Sequence, residues 1–153
     1  MIKANKTKEK ELIMADRKAS AIWEGTLKAG KGSMHFAGYD GPFTFASRFE
    51  EGKGTNPEEL LGAAHAGCYS MALSGGLTEA GFTPEKIETT AHVALRNVDG
   101  KATITHIQLV SKAKVPGITL EKFLEIAEAT KLGCPVSRAL SGVEISLEAE
   151  LVP

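Results

Sequence analysis

The stretch that decides the fold is residues 56–81, NPEELLGAAHAGCYSMALSGGLTEAG. Asn56 is a good N-cap, Pro57 suits the first helical position, and Glu59 completes a start of the capping-box kind. Gly81 is a typical stop signal. Apolar residues between these signals lie on nearly every side of the predicted helix. Such a helix belongs in the centre of a core or in an interface.

Strand patterns lie on both sides of this helix. Residues 19–49 are aromatic and β-branched stretches interrupted by glycines, which predicts a small antiparallel meander. Residues 87–115 alternate apolar and polar side chains on either side of Asp99-Gly100, a strong signal for a tight hairpin.

Helical and strand signals alternate again towards the C-terminus. Thr119 is the predicted cap of a second helix that Gly133 ends, and Pro135 restarts a short helix. Residues 143–151 alternate apolar and polar side chains and are predicted to form a final strand. The predicted fold class is α+β.

Length and composition fit one domain. The chain has 153 residues, of which 42% are hydrophobic and 24% charged, as is ordinary for a globular protein. Residues 1–14 are rich in charge and poor in apolar partners, so we expect a flexible extension there. A single domain is therefore predicted over residues 15–153.

The charge balance excludes some classes of function. Lys and Arg total 18 and Asp and Glu total 19, which gives a formal net charge of −1. Nucleic-acid binding usually needs an excess of basic residues, and nothing here favours an anionic membrane. The sequence shows neither a run of ~20 apolar residues nor a secretory signal pattern, so a cytoplasmic location is predicted.

Two cysteines carry the candidate chemistry. In a reducing compartment, Cys68 and Cys134 are not expected to form a permanent disulfide, which leaves packing, metal binding or redox chemistry. Cys134 lies at the start of a helix, where a thiolate is favoured, although it can also be a mediocre cap. Cys68 lies in an apolar helix and can be a simple packing residue. His65 is three positions before Cys68, so a Cys–His pair also stays open.

Metal binding is the weaker reading of these residues. The sequence has no Cys-x-x-Cys motif, and its four histidines show no zinc-binding spacing. We therefore expect no metal site.

Four segments together resemble a known family. They are GTNPEELLGAAHAGCYSMALS (54–74), TPEKIETTAHVAL (83–95), VPGITLEKF (115–123) and GCPVSRAL (133–140). The combination is similar to the OsmC/Ohr family, which comprises osmotically inducible protein C and the organic hydroperoxide resistance proteins, and it favours the OsmC branch. The similarity runs from about Trp23 to the final strand.

The resemblance implies a fold, an activity and a set of site residues. It implies antiparallel sheets around two central helices in an intertwined homodimer with sites at the subunit interface. The implied activity is a thiol-dependent peroxidase that reduces organic hydroperoxides in oxidative and osmotic stress defence. Cys68 matches the attacking cysteine of this family and Cys134 the resolving cysteine. Arg48 matches the arginine that holds the thiolate, and Glu58 matches its carboxylate partner.

The resemblance also bears on cofactors. It implies that no metal or haem takes part and that an external dithiol, such as one of the dihydrolipoyl type, resets the enzyme. His65 has no catalytic part in the family pattern.

Physical chemistry gives these assignments a rationale. Burial raises the pKa of a thiol, so a cation such as Arg48 has to offset that effect at Cys68. A carboxylate such as Glu58 can fix the guanidinium by two hydrogen bonds, although an exposed Arg48 in a surface charge cluster is the simpler interpretation. Ten residues along one helix span about 15 Å. Glu58 is therefore expected to act through Arg48 or at the Cys68 site of a partner subunit.

The substrate pocket is the least constrained prediction. Phe43, Phe45, Phe49 and Met71 lie near the matched residues in the sequence and are predicted to line an apolar pocket that favours alkyl hydroperoxides. An ordinary core residue is the simpler interpretation of each one taken singly. Two other functions stay open, namely a hydrolase or transferase with His65 as base, and a non-catalytic dimeric module of the same fold.

Overall fold

The computed structural model describes residues 15–153. The predicted extension over residues 1–14 lies outside the described part of the chain. The described residues form two compact units, which divide between Gly54 and Thr55. Each unit is described below by itself, and the single domain over residues 15–153 stays a prediction.

The first unit is built on a three-stranded antiparallel sheet. Its strands are β1 (Ser20–Glu24), β2 (Lys31–Phe36) and β3 (Tyr39–Thr44), in the order β1-β2-β3. Ala37 and Gly38 form the turn between β2 and β3 with φ of 41° and 84°. Positive φ at both positions matches the twist of the flanking strands. The predicted meander is confirmed for these strands.

The meander prediction was wrong for the last five residues of the stretch 19–49, which form a short helix, α1 (Phe45–Phe49). The Thr44 hydroxyl accepts a hydrogen bond from the Ser47 N–H at 3.2 Å, and the Ser47 hydroxyl accepts one from the Thr44 N–H at 2.9 Å. This reciprocal capping box stabilises a helical start. It outweighs the strand preference of the aromatic residues.

The second unit contains the remaining elements. They are α2 (Pro57–Glu79), β4 (Lys86–Val98), β5 (Lys101–Lys114), α3 (Leu120–Gly133), α4 (Pro135–Ala139) and β6 (Glu144–Val152). The predicted long helix, hairpin, second helix, short helix and final strand are all confirmed. The α+β class is confirmed with them.

Local signals place the ends of these elements. The Asn56 side chain accepts a hydrogen bond from the Glu59 N–H at 2.8 Å, and the Thr119 hydroxyl accepts one from the Lys122 N–H at 3.3 Å. The β4–β5 turn contains Asp99-Gly100, with φ of 51° and 79°. These are the caps and the turn that the sequence predicted.

The sheet of the second unit is mixed, with the order β4-β5-β6. Strands β4 and β5 are antiparallel, but β5 and β6 run parallel. The expectation of purely antiparallel sheets was therefore wrong for this pair. Because α3 and α4 lie between β5 and β6, the chain crosses back before it re-enters the sheet, which is the connection that parallel strands need.

The core of the second unit lies where α2 and α3 pack against the sheet. Its fully buried side chains are Tyr69, Leu73 and Leu77 of α2, Ile107, Leu109 and Ala113 of β5, and Phe123 and Ala127 of α3. The opposite face of α2 is exposed, with Met71 82% exposed. The sequence predicted this helix to lie in the centre of a core or in an interface, and within the described residues one face of it lies in the core. Among residues 15–153, no helix is long and apolar enough to cross a membrane.

Phe123→Ala is expected to lower the free energy of unfolding by about 3–5 kcal/mol, because the ring is fully buried in this core and its loss leaves a cavity. Urea unfolding measures the change. Leu120→Ala on the same helix is the matched control, since Leu120 is 57% exposed and its loss is expected to cost less than about 0.5 kcal/mol. Equal losses in the two variants would contradict this core assignment.

Candidate active site

Two thiols from distant parts of the sequence meet in the second unit. The sulfurs of Cys68, on α2, and Cys134, between α3 and α4, lie 3.1 Å apart. Both cysteines are free; Cys134 is 1% exposed and Cys68 is partly exposed. A disulfide has an S–S length of about 2.05 Å, so only a small approach of the two sulfurs separates this pair from a covalent bond.

Cys134 occupies a junction between two helices. It is the C-cap of α3 and the N-cap of α4, and its own N–H donates to the Thr130 carbonyl at 2.9 Å. The N–H groups of Val136 and Ser137 face its sulfur, although none forms a capping hydrogen bond of regular geometry. The predicted position of Cys134 at a helix start is confirmed.

The two thiols differ in acidity. Burial raises the pKa of Cys134, but the Ser137 N–H, the Cys68 thiol and the Ser137 hydroxyl outweigh burial, so its pKa lies below the ordinary value. At Cys68, burial and the Cys134 sulfur raise the pKa, and the Val136 N–H offsets only part of this. Cys134 is therefore the more acidic thiol. A proton held by the pair can pass between the sulfurs.

His65 lies in the same buried region but bonds elsewhere. It is 0% exposed, its Nε2 lies 2.7 Å from the Ser137 hydroxyl, and burial lowers its pKa, so the ring is neutral. A general base for Cys68 would direct this nitrogen at the sulfur. This arrangement does not support the alternative in which His65 is the base of a Cys–His hydrolase.

Sequence reasoning missed Ser137. It is the third residue of the helix that Cys134 caps, the position at which a side chain and its N–H approach the N-cap residue. That position in GCPVS was the signal that could have identified it. Its bond to His65 joins residues 72 positions apart and leaves no local pattern.

The two predicted charged site residues lie in different units. Glu58 is in the first turn of α2, where a carboxylate interacts favourably with the helix dipole, and is only 7% exposed. Arg48 is in α1 of the first unit, with its guanidinium carbon 5.1 Å from the centre of the Phe49 ring, a cation–π distance. Their roles stay predictions.

Three of the four predicted pocket residues share one cleft with Arg48. This cleft of the first unit has a volume of about 240 Å³ and is lined by Trp23, Leu27, Phe43, Thr44, Phe45, Arg48 and Phe49. The fourth residue, Met71, lies on the exposed face of α2 and lines a different concavity together with Ser70 and Ser74. The role of these four residues in substrate binding stays a prediction.

An α+β fold with two free thiols in hydrogen-bonding contact, one at a helix start, defines a two-cysteine thiol redox protein. The family model described as "OsmC-like protein" matches residues 50–148. The chain is 51% identical, over 138 residues, to Peroxiredoxin OsmC of Escherichia coli, an alignment that covers 88% of this chain and 96% of that protein. The chain belongs to the OsmC family.

Solved structures show the same fold. The OsmC-like protein from Mycoplasma pneumoniae matches with a TM-score of 0.74 and 16% identity, over 92% of this chain and 99% of that one. The organic hydroperoxide resistance protein OhrB of Bacillus subtilis matches with a TM-score of 0.62 and 25% identity, over 88% and 98% of the two chains. The predicted family, the OsmC-like fold and the enzyme class, a thiol-dependent peroxidase, are confirmed.

The buried neutral His65 is expected to make the fold less stable in acid. An exposed histidine in the unfolded chain binds a proton near its ordinary pKa of 6.5, whereas the folded pKa is lower. The unfolded chain therefore binds more protons as the pH falls below 6.5, and the free energy of unfolding falls with it. Urea midpoints measured from about pH 7.5 down to about pH 5 should show this loss.

His65→Gln is expected to flatten this pH profile because it removes the group that titrates. Replacement of the exposed His92 of β4 by Gln controls for the loss of a histidine as such. An unchanged slope in His65→Gln would show that His65 is not the source of the acid sensitivity.

Proposed function

We propose that this chain reduces organic hydroperoxides to alcohols with Cys68 as the attacking thiol and Cys134 as the resolving thiol. The single observation that carries the proposal is the 3.1 Å approach of the two sulfurs. The names of relatives support it, since one is a peroxiredoxin and another an organic hydroperoxide resistance protein. The proposed role is defence against oxidative and osmotic stress.

The first half of the cycle consumes the hydroperoxide. The Cys68 proton passes to the Cys134 thiolate, and the Cys68 thiolate then attacks the distal peroxide oxygen. The O–O bond breaks, the alkoxide takes a proton from solvent and leaves as the alcohol, and Cys68 becomes a sulfenic acid.

The second half forms the disulfide. The Cys134 sulfur attacks the Cys68 sulfur, the S–S bond forms, and the S–O bond breaks. The hydroxyl group leaves as water with the Cys134 proton. One hydroperoxide and two thiols thus give one alcohol, one water and one disulfide. The disulfide protects Cys68 from further oxidation.

Arg48 and Glu58 are proposed to support the attacking thiolate, an assignment that comes from the family resemblance. The raised pKa of Cys68 creates the need for a cation, because burial disfavours its thiolate. A guanidinium meets that need at any pH at which the enzyme works. The burial of Glu58 fits a carboxylate that orients a cation rather than one that is only solvated.

The aromatic cleft suggests the class of substrate. Phe43, Phe45 and Phe49 offer apolar walls, and Arg48 offers hydrogen-bond donors at the same cleft. An alkyl or aryl hydroperoxide has a matching apolar body and polar O–O group, whereas hydrogen peroxide lacks the apolar body. Met71 is the remaining proposed substrate contact.

Completion of the cycle needs a reductant. We propose an external dithiol, such as one of the dihydrolipoyl type, with no bound cofactor, in a reducing cytoplasm. Two free cysteines and a disulfide that forms only during turnover suit such a compartment. Among residues 15–153, no cluster of three or more His, Cys, Asp or Glu side chains is placed to hold a metal ion.

A homodimer is proposed from the exposed face of α2. Ala63, Gly67, Met71 and Gly75 follow one another at four-residue spacing and are exposed. This face of the helix is apolar and built mostly of small residues, so a two-fold copy of α2 can approach it closely. The paired helices would let Glu58 of one subunit serve the Cys68 site of the other, which is one of the two arrangements that the length of the helix between them allows.

One equivalent of cumene hydroperoxide is expected to remove both thiols and to lower the intact mass by about two mass units, because two hydrogens are lost when the disulfide forms. Mass spectrometry and a thiol count measure this. Cys134→Ser is expected to stop at a sulfenic acid that dimedone labels, and Cys68→Ser to consume no peroxide. Survival of both thiols in the wild-type chain would overturn the proposed function.

Arg48→Met tests whether Arg48 activates the attacking thiol without taking part in the formation of the disulfide. The substitution keeps a long unbranched side chain but removes the guanidinium charge. Thiol loss on addition of peroxide should therefore be slower, while the same disulfide product forms. Glu50→Gln is the matched control near Arg48, since it changes the charge of an exposed residue. Equal rates in Arg48→Met and wild type would exclude the proposed role of Arg48.

Met71→Arg is expected to convert a dimer into a monomer in sedimentation experiments, because it places a charge and a long side chain on the proposed helix contact. Leu120→Arg is the control, since Leu120 is also exposed, at 57%, but lies on α3. A wild-type monomer, or a Met71→Arg dimer, would contradict the proposed interface.

A further inference from the structure

One buried polar contact has no part in the cycle described above. His65 of α2 and Ser137 of α4 are 0% and 5% exposed, and their Nε2 and Oγ atoms lie 2.7 Å apart. Burial of such a pair removes both groups from water, which only a well-made hydrogen bond offsets. Two apolar residues would fill the same space without that cost.

The surroundings of His65 determine its tautomer. Its Nδ1 is fully buried and finds no hydrogen-bond partner among residues 15–153. An N–H at Nδ1 would therefore be a buried donor without an acceptor, which is costly. The neutral ring accordingly carries its proton on Nε2 and donates it to the Ser137 oxygen. The Ser137 O–H is then free to donate to another acceptor.

Cys134 supplies that acceptor. Ser137 is the third residue of α4, and Cys134 is its N-cap, so the two side chains face each other across the first turn. The Ser137 hydroxyl is one of the groups that lower the pKa of Cys134, which is the effect expected of a hydroxyl able to donate to its sulfur. Hydrogen bonds linked in this way polarise one another in a site of low dielectric.

We propose that His65 is a positioning residue for Cys134 and acts through Ser137. His65 Nε2–H donates to Ser137 Oγ, and the oriented Ser137 O–H donates to the Cys134 thiolate, which lies next to Cys68. The role of these two hydrogen bonds in the cycle rests on the proposed function, since it assumes that Cys134 resolves the sulfenic acid. Neither His65 nor Ser137 touches the substrate.

The hydrogen bonds from His65 to Ser137 and from Ser137 to Cys134 act in the second half of the cycle. Once Cys68 is a sulfenic acid, Cys134 has to lose its proton and attack, and a donor already aimed at its sulfur favours the thiolate. Four other ionisable groups are near Cys134: the Cys68 thiol at 3.1 Å, Tyr69, and the Glu79 and Glu125 carboxyl groups, which line the same concavity. Burial, Glu128 and Cys134 raise the pKa of Tyr69, so its hydroxyl stays protonated, and it donates to the Ala127 carbonyl at 3.2 Å.

The decisive experiment measures the pKa of Cys134 without peroxide or turnover. In a Cys68→Ser background, Cys134 is the only cysteine, and its thiolate is followed by ultraviolet absorbance as the pH is varied. Ser137→Ala should raise the pKa of Cys134 by about one unit, a tenfold loss of thiolate at pH values below the pKa. Ser137→Thr keeps the hydroxyl and should keep the parent pKa.

A second pair of variants tests His65 itself. His65→Gln places an amide N–H near the position of Nε2 and should keep the pKa of Cys134 close to that of the parent. His65→Asn places its amide near Nδ1 instead and should raise the pKa as Ser137→Ala does. If Ser137→Ala fails to fold, the comparison of Gln with Asn tests the proposal alone.

Thermal unfolding of each variant separates positioning from packing. A purely structural His65 predicts that both variants lose stability while the pKa of Cys134 stays constant, and that result overturns the proposal. An unchanged pKa in folded Ser137→Ala overturns it as well. Since no step requires peroxidase activity, failure of this experiment is distinguishable from failure of the proposed function, which the thiol count after peroxide treatment tests.

Discussion

The close approach of Cys68 and Cys134 is the constraint on which the second unit depends. Sulfurs 3.1 Å apart require that the middle of α2 meet the point where α3 ends and α4 begins. Core contacts hold these parts in place. Tyr69, next to Cys68 on α2, is fully buried and donates its hydroxyl proton to the Ala127 carbonyl of α3. Leu73, one turn further along, is also fully buried. Both the packing and the buried hydrogen bond thus keep α2 close to α3.

Local signals explain why so much of the fold was predictable. The predicted caps and turn act on backbone groups only three or four residues away. The structure shows the caps at Asn56 and Thr119 and the turn at Asp99-Gly100 where the sequence predicts them. Two predictions were wrong for physical reasons. Alternation in residues 143–151 shows a strand but not its direction, which depends on the crossover through α3 and α4. The helix at Phe45–Phe49 begins with a capping box, but the aromatic residues of the same stretch favour a strand and so led to the wrong prediction.

The candidate site was predictable to a smaller extent. Gly133-Cys134-Pro135 placed one thiol at a helix start from the residues alone, and the apolar run around Cys68 indicated a raised pKa. The pairing of the two cysteines came only from the family resemblance. His65 was noticed as a possible base for Cys68, yet its partner is Ser137. Contacts between residues far apart in sequence depend on the tertiary fold, so spacing along one helix could not reveal them.

Secondary structure makes two chemically identical thiols unequal. Cys68 lies in the middle of α2, where the helix uses its own backbone N–H groups, so burial dominates and its thiolate needs help from a side chain or a partner. Cys134 lies at a helix start, where the Ser137 and Val136 N–H groups and the Ser137 hydroxyl face the sulfur. Groups of the second unit therefore suffice to lower the pKa of Cys134. At Cys68, by contrast, the Val136 N–H offsets burial only in part, so the pKa stays raised and the thiolate is the less favoured of the two.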